Sequence, residues 1–276
     1  MKKVTIAGRE VHPIGLGTLN MGDDSKKLEQ EVKALRTGLD QGAQVIDTAE
    51  MYGSGNAETF VGKAIAPYKR EDLFLISKVL PSNASKQQLP KSLDNSLKRM
   101  NVDYLDLYLL HWPGPVPLEE TVEALEKEKN KGKIKAWGVS NLDIKDMEEL
   151  WQLPQEKNCA TNQVRYNIVD RGIEYDLIPK MNQHNMPVIS YAPVDRGHTK
   201  HKVLEEIAGK HQATIFQILL AWNIRNGNTI AIPQSSNPEH VYYNTKAIDI
   251  KLSQEDLEKI NAVYPEPNSS EPLALW

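Results

Sequence analysis

Cysteine occurs once in the 276 residues, as Cys159, which excludes an intrachain disulfide and a cysteine-built metal site. Such usage fits a reducing compartment. Long apolar runs are missing too, for nothing approaches the roughly 20 residues that span a bilayer. The opening Met1-Lys2-Lys3-Val4 meets charge again at Arg9-Glu10, too early for a signal-peptide core, so a cytoplasmic protein without a membrane partner is expected. Neither sign of charge dominates. The 33 Lys and Arg stand against 37 Asp and Glu with no basic stripe, which argues against a nucleic-acid partner. Glycine-rich phosphate loops are lacking as well. Gly15-Leu16-Gly17-Thr18-Leu19-Asn20 has no third glycine, Gly53-Ser54-Gly55 has none either, and no Gly-Lys-Ser follows. The doubly wound dinucleotide fold is disfavoured on those grounds.

What is present is an alternation. A short hairpin over 4–12 precedes a strand at 14–18 and a helix at 28–39. The unit then recurs as strand 44–48 with helix 56–66, strand 73–79 with helix 85–99, and strand 104–111 with helix 118–131. It continues through 134–139 with 143–151, and 160–166 with 175–184. Strand 187–191 is followed by helices near 202–211 and 214–226, and strand 228–232 by helix 238–245. A further helix at 252–263 is capped by Ser253, with Glu255 and Asp256 in its first turn. The strands are near-continuous apolar runs, as expected when both faces are buried. Eight such units predict an α/β fold, a (β/α)8 TIM barrel, with an N-terminal hairpin and extra helices near the C-terminus. No linker interrupts it, so residues 1–276 read as a single domain. The Pro- and Ser-rich tail from residue 265 is expected to lie over one end, with Trp276 packing it down.

In such barrels the carboxyl ends of the strands form the working face. Those ends read Gly17-Thr18, Asp47, Lys78, His111, Ser140-Asn141, Gln163, Tyr191 and Gln234-Ser235. A carboxylate at a strand exit is costly unless a cation pairs with it, and Lys78 is such a cation. Tyr52 follows Asp47 on the next loop. A free phenol, with a pKa near ~10, is a weak acid for protonating an alkoxide at neutral pH. A neighbouring ammonium lowers that value, and a carboxylate keeps the ammonium charged. Asp47, Lys78 and Tyr52 are the right types for this relay, and His111 suits a carbonyl oxygen, with Trp112 as a wall of the substrate pocket. Ser140, Asn141 and Gln163 offer amide and hydroxyl partners for a carboxamide, and Tyr191 offers a flat face. A nicotinamide ring needs both.

Taken singly, these residues have plainer readings: an ion pair at the rim, a packed loop aromatic, a satisfied core histidine. Their convergence favours catalysis. His198 and His201 lack a carboxylate or cysteine to complete a metal site, and none is expected. Cys159 reads as a small buried hydrophobe.

The ordered motifs resemble the aldo-keto reductase family over essentially the whole chain. They are Gly-Leu-Gly-Thr at 15–18, Asp-Thr-Ala-x-x-Tyr-Gly at 47–53, Ile-Ser-Lys-Val at 76–79 and Leu-Leu-His-Trp at 109–112. Glu-Thr-Phe-Val-Gly at 58–62, Gly-Lys-Ile at 132–134, Gly-Val-Ser-Asn at 138–141, Asn-Gln-Val-x-Tyr at 162–166 and Ile-Pro-x-Ser at 232–235 complete the set. Within that family the chain is similar to short bacterial reductases of methylglyoxal and other small carbonyls. The resemblance implies NAD(P)H-dependent reduction of aldehydes and ketones, with Tyr52 as proton donor, Lys78 and Asp47 tuning it and His111 orienting the carbonyl. It implies cofactor contacts from Gly17, Thr18, Asp47, Ser140, Asn141, Gln163, Tyr191, Ala192, Val194 and Arg196. Further along it implies Gln234, Ser235, His240, Tyr243 and Asn244. One departure stands out. Where the family grips the 2′-phosphate of NADP with a Lys and an Arg, this chain has Gln234 and His240, so NADP is implied with NAD use as the alternative. A small-molecule carbonyl substrate and a monomer are expected. The rival readings are a nucleotide-binding redox sensor with little turnover, and a lyase using Lys78 as a Schiff-base amine.

Overall fold

The chain opens with a β-hairpin, β1 (Val4–Ile6) and β2 (Arg9–Val11), in which Val4 stands opposite Val11. In this computed structural model, which describes residues 3–275, eight parallel strands follow. They are β3 (Leu16–Gly17), β4 (Val45–Asp47), β5 (Phe74–Val79), β6 (Leu105–Leu110), β7 (Ile134–Ser140), β8 (Cys159–Arg165), β9 (Val188–Tyr191) and β10 (Thr229–Ala231). Each pairs with its neighbour in chain order. First meets last as well. Ile14 bridges Ala231, Gly15 N donates to Ala231 O at 2.8 Å, and Gly17 N to Pro233 O at 3.0 Å. Those bonds close the sheet into the expected barrel.

Helices surround it: α1 (Leu28–Asp40), α2 (Asn56–Ile65), α3 (Leu89–Met100), α4 (Leu118–Asn130), α5 (Ile144–Leu150) and α6 (Leu177–Gln183). The remaining four are α7 (Lys202–Lys210), α8 (Ile215–Asn223), α9 (Pro238–Lys246) and α10 (Gln254–Val263). The alternation of the strands explains the two cores. Phe74, Ile76, Leu107, Leu109 and Ile189 point inward and fill the barrel, together with Val4, Ile6 and Val11 of the hairpin, which plugs its lower mouth. Leu75, Tyr108, Leu110 and Val139 point outward against the helices. Truncating Leu107 to Ala costs about 2–5 kcal/mol by transfer and cavity terms. Helix α1 approaches so closely that a Cβ on Gly38 would stand 2.4 Å from Leu16 Cδ2.

Some boundaries differ from the sequence expectation. Helix α3 starts at Leu89, not 85, because Ser85 closes a turn onto Gln88 and Pro90 favours the first helical turn. Helix α6 shrinks to Leu177–Gln183 behind a separate turn at Gly172–Glu174. The tail lies along this turn, with Ser270 Oγ donating to Asp176 Oδ2 at 2.6 Å. The contact expected of Trp276 falls outside the described residues. Among the described residues no helix is long and apolar enough to cross a membrane.

Candidate active site

Six successive strands each deliver one polar group to the upper mouth. Asp47 ends β4, Lys78 lies near the end of β5, His111 follows β6, Ser140 ends β7, Gln163 lies near the end of β8, and Tyr191 ends β9. Parallel strands lie roughly 4.8 Å apart, so consecutive exits are neighbours. Lys78 Nζ, wholly buried, donates to Asp47 Oδ1 at 2.6 Å, to Thr48 O at 2.8 Å and to Tyr52 OH at 3.3 Å. All three ammonium hydrogens therefore have a place. Gln163 Nε2 holds the other carboxylate oxygen, Asp47 Oδ2, at 2.7 Å.

The electrostatics follow from burial and from these contacts. Burial alone would strip Lys78 of its proton, but the Asp47 carboxylate, helped by the Tyr52 oxygen, outweighs it and holds the ammonium above its ordinary value. For Tyr52 the balance goes the other way. Burial pushes the phenol above 10.0, Lys78 pulls it down, and Asp47 pushes it up again. The downward pull expected from the lysine is thus present but does not win, because the phenol is buried and the nearby carboxylate offsets part of the ammonium's charge. His111 is pulled down to about 2, by burial first and the Lys78 charge second, and is neutral. Its ring meets Tyr52 edge-on, with centroids 5.8 Å apart.

A second chain of bonds runs beside the first. Ser140 Oγ donates to Gln163 O at 2.8 Å, and Asn141 Nδ2 reaches His111 O and Ser140 Oγ, both at 3.1 Å. Tyr191 OH donates to Asn141 Oδ1 at 2.9 Å. Asn141 sits at φ 57, a left-handed position that Asn tolerates, which turns its amide back over the strand ends.

A groove of about 610 Å³ leads away from this cluster. Gly17, Thr18, Asp47, Tyr52, Tyr191, Ala192, Val194, Arg196, Gln234, Ser235, His240 and Asn244 all line it. Ser140, Asn141 and Gln163 are not on its wall; Ser140 and Gln163 are buried and Asn141 is half-buried. Tyr243 is turned away, exposed and edge-on to Tyr242. Trp112 is half-buried with its ring 4.7 Å from that of His111, so it flanks the histidine outside the groove. The sequence did not point to Leu19, Asn20 or Phe216, which also line the groove. Phe216, at the start of α8, is exposed, which the sequence of that apolar helix does not signal.

Fold and site together define a barrel oxidoreductase, and the chain belongs to the aldo/keto reductase family, whose profile matches residues 13–265. It is 47% identical over 268 residues, 95% of this chain and 94% of the other, to methylglyoxal reductase YeaE of Escherichia coli. It is 33% identical to the glyoxal reductase of Bacillus subtilis, over 96% of this chain and 95% of that one. Among solved structures, an aldo-keto reductase of Klebsiella pneumoniae in complex with NADPH superposes with a TM-score of 0.97. That protein is 45% identical, with 100% of this chain and 99% of the other covered.

Proposed function

We propose that this chain reduces small aldehydes and ketones, methylglyoxal among them, to alcohols, with Tyr52 protonating the oxygen as NADPH supplies a hydride to the carbonyl carbon. The observation that carries this reading is a wholly buried ammonium, Lys78, held between Asp47 at 2.6 Å and the Tyr52 hydroxyl at 3.3 Å where the groove begins.

The residues divide the work. Tyr52 is protonated at any physiological pH and can donate only as negative charge develops on the substrate oxygen, when Lys78 is already in place to stabilise the phenolate. Asp47 keeps Lys78 charged, and Gln163 keeps Asp47 from turning. Neutral His111 carries one N–H. Its Nδ1 is buried with no hydrogen-bond partner among the described residues. An unsatisfied lone pair costs less than an unsatisfied N–H, so the proton belongs on Nε2, where it can hold a carbonyl oxygen.

The donor set suits a nicotinamide nucleotide. Tyr191 and Arg196 line the groove, the latter supplying a cation for phosphate, and the amides of Asn141 and Gln163 are bonded to groove residues, Asn141 to the Tyr191 hydroxyl at 2.9 Å and Gln163 to Asp47 at 2.7 Å. On the α9 side the lining is Gln234, Ser235, His240 and Asn244, and among the described residues Arg196 is the groove's only Lys or Arg. NADPH is therefore bound with a weakly charged grip on its 2′-phosphate, and NADH is accepted with modest discrimination. Tyr52→Phe tests the central assignment. The variant should bind NADPH as wild type by fluorescence titration and lose nearly all methylglyoxal turnover. Turnover near wild type would overturn the reading.

A further inference from the structure

Tyr52 begins a turn that holds backbone bonds of its own, Ser54 N to Met51 O at 3.1 Å among them, but is strained at one residue. Gly53 (φ 54), Ser54 (φ 53) and Gly55 (φ 97) all lie in the left-handed region, and for Ser54 that conformation is costly. The surroundings help to hold that strained residue in place. Two carboxylates flank it. Glu50 Oε1 accepts from Leu80 N at 2.7 Å and from Asn83 Nδ2 at 3.0 Å. Glu58, with no exposed surface, accepts from Ser77 Oγ at 2.5 Å and from Arg99 Nε at 2.5 Å. Ser77 and Leu80 bracket Lys78. The chain on either side of the phenol is thus tied to the chain on either side of the ammonium.

Arg99 has a second contact with the turn. A Cβ on Gly55 would stand 2.5 Å from Arg99 Cδ, so the guanidinium stem lies directly against the turn's last residue. None of Glu50, Glu58 and Arg99 lines the groove. A buried carboxylate is an expensive way to pack a helix start, and an apolar side chain of similar volume would fill the space as well or better. What a bidentate, charged clamp adds is fixed geometry. Geometry matters here because the ammonium's attraction for the phenolate falls inversely with distance. A drift of about 1.5 Å from 3.3 Å removes roughly a third of it.

We propose that Glu58, clamped by Ser77 and Arg99, is a positioning residue that fixes the separation of Tyr52 from Lys78 and so sets the acidity of the proton donor. This rests on Tyr52 being that donor. The clamp acts on the chemical step and leaves the nucleotide groove unchanged.

The test measures kcat, KM, the solvent deuterium isotope effect on kcat and the NADPH Kd for wild type, Glu58→Gln, Arg99→Met and Arg99→Lys, with Tyr52→Phe as reference. A misplacement near 1 Å costs up to about 100-fold, so Glu58→Gln and Arg99→Met should lose about 10- to 100-fold in kcat. Methylglyoxal KM and NADPH Kd should stay within about twofold, and the isotope effect should rise as proton transfer becomes limiting. Arg99→Lys, which keeps a cation beside Glu58, should recover much of the rate. Arg99 is 27% exposed, so Arg99→Met tests the clamp even if Glu58→Gln folds poorly. Rates that fall only with the folded fraction, with an unchanged isotope effect in Arg99→Met, would overturn the proposal. An active Tyr52→Phe would instead overturn the function on which it rests, so the two failures are told apart.

Discussion

Lys78→Met removes the ammonium while keeping most of its stem, and two consequences of different kinds follow. The first is stability. Asp47 is 2% exposed and would retain Gln163 Nε2, at 2.7 Å, as its one side-chain donor among the described residues. Taking one partner from a buried ion pair costs about 3–5 kcal/mol. For a chain of this size that is a Tm lower by roughly 10 °C. The second is chemistry. At 3.3 Å and an effective dielectric of about 20, the ammonium favours the phenolate by about 5 kcal/mol. If about half of that is felt when the proton is partly transferred, the barrier rises by about 2.5 kcal/mol, close to two orders of magnitude in rate.

Single-turnover stopped flow separates these effects, because it reads the chemical step in the folded, NADPH-loaded fraction alone. The expected result is a roughly 100-fold slower decay of the NADPH signal on mixing with methylglyoxal, with NADPH affinity retained. Asp47→Asn should lie between this variant and wild type, since Lys78 then keeps Tyr52 and Thr48 O as partners but loses the charge that offsets its burial. A Lys78→Met rate within about threefold of wild type, in a protein with the lowered Tm, would refute the reasoning. Lys78 and Asp47 would then be a structural pair at the rim of the barrel.

The pH dependence has a definite sign. Tyr52 donates only below its pKa, which burial raises above 10.0, and His111 is neutral at any pH above about 2. The kcat for reduction should therefore be flat from pH 6 to 9, and a limb near ~6.5, the ordinary histidine value, would contradict the placement of His111. Gln234→Lys combined with His240→Arg should tighten NADPH relative to NADH by at least about tenfold in paired fluorescence titrations, because each new charge-assisted bond contributes about 1.5–3 kcal/mol. An unchanged ratio would place the 2′-phosphate elsewhere. Cys159, whose thiol burial pushes up to about 12, should resist a disulfide reagent in the folded protein and react only on unfolding.

Most of the site was legible in the sequence because a parallel barrel turns strand order into spatial order. Once 44–48, 73–79 and 160–166 are recognised as strands, Asp47, Lys78 and Gln163 are known to share one mouth. Side-chain direction at helices and loops was less legible. Tyr243 and Asn244 differ by one residue on α9, which is about 100° of rotation, and only Asn244 faces the groove. Phe216 belongs to a helix that is apolar almost all round, so periodicity gave no face to choose. The direction of the Tyr52 shift depends on how deeply the phenol is covered, and composition does not encode that depth. Glu58 stands in one of the ordered motifs, but its pairing with Arg99 spans 41 positions between two helices and has no local signature.

The bonding at the mouth also ties together two tasks that the sequence suggested separately. The proton-donor group, Tyr52 with Lys78 and Asp47, and the carboxamide group, Ser140 with Asn141 and Gln163, are joined through Gln163. Its backbone oxygen accepts from Ser140 Oγ at 2.8 Å, while its side chain donates to Asp47 Oδ2 at 2.7 Å. That second bond reaches from β8 to β4 across the mouth, between residues 116 positions apart. Wherever the Gln163 amide is pulled by a group bound over it, Asp47 feels the change, and Asp47 in turn orients Lys78. Residues in one such network do not contribute additively. On the proposed placement of the nicotinamide beside Gln163, occupation of the slot and readiness of the phenol to give up its proton are coupled, because the same side chain holds the carboxylate that tunes the acid.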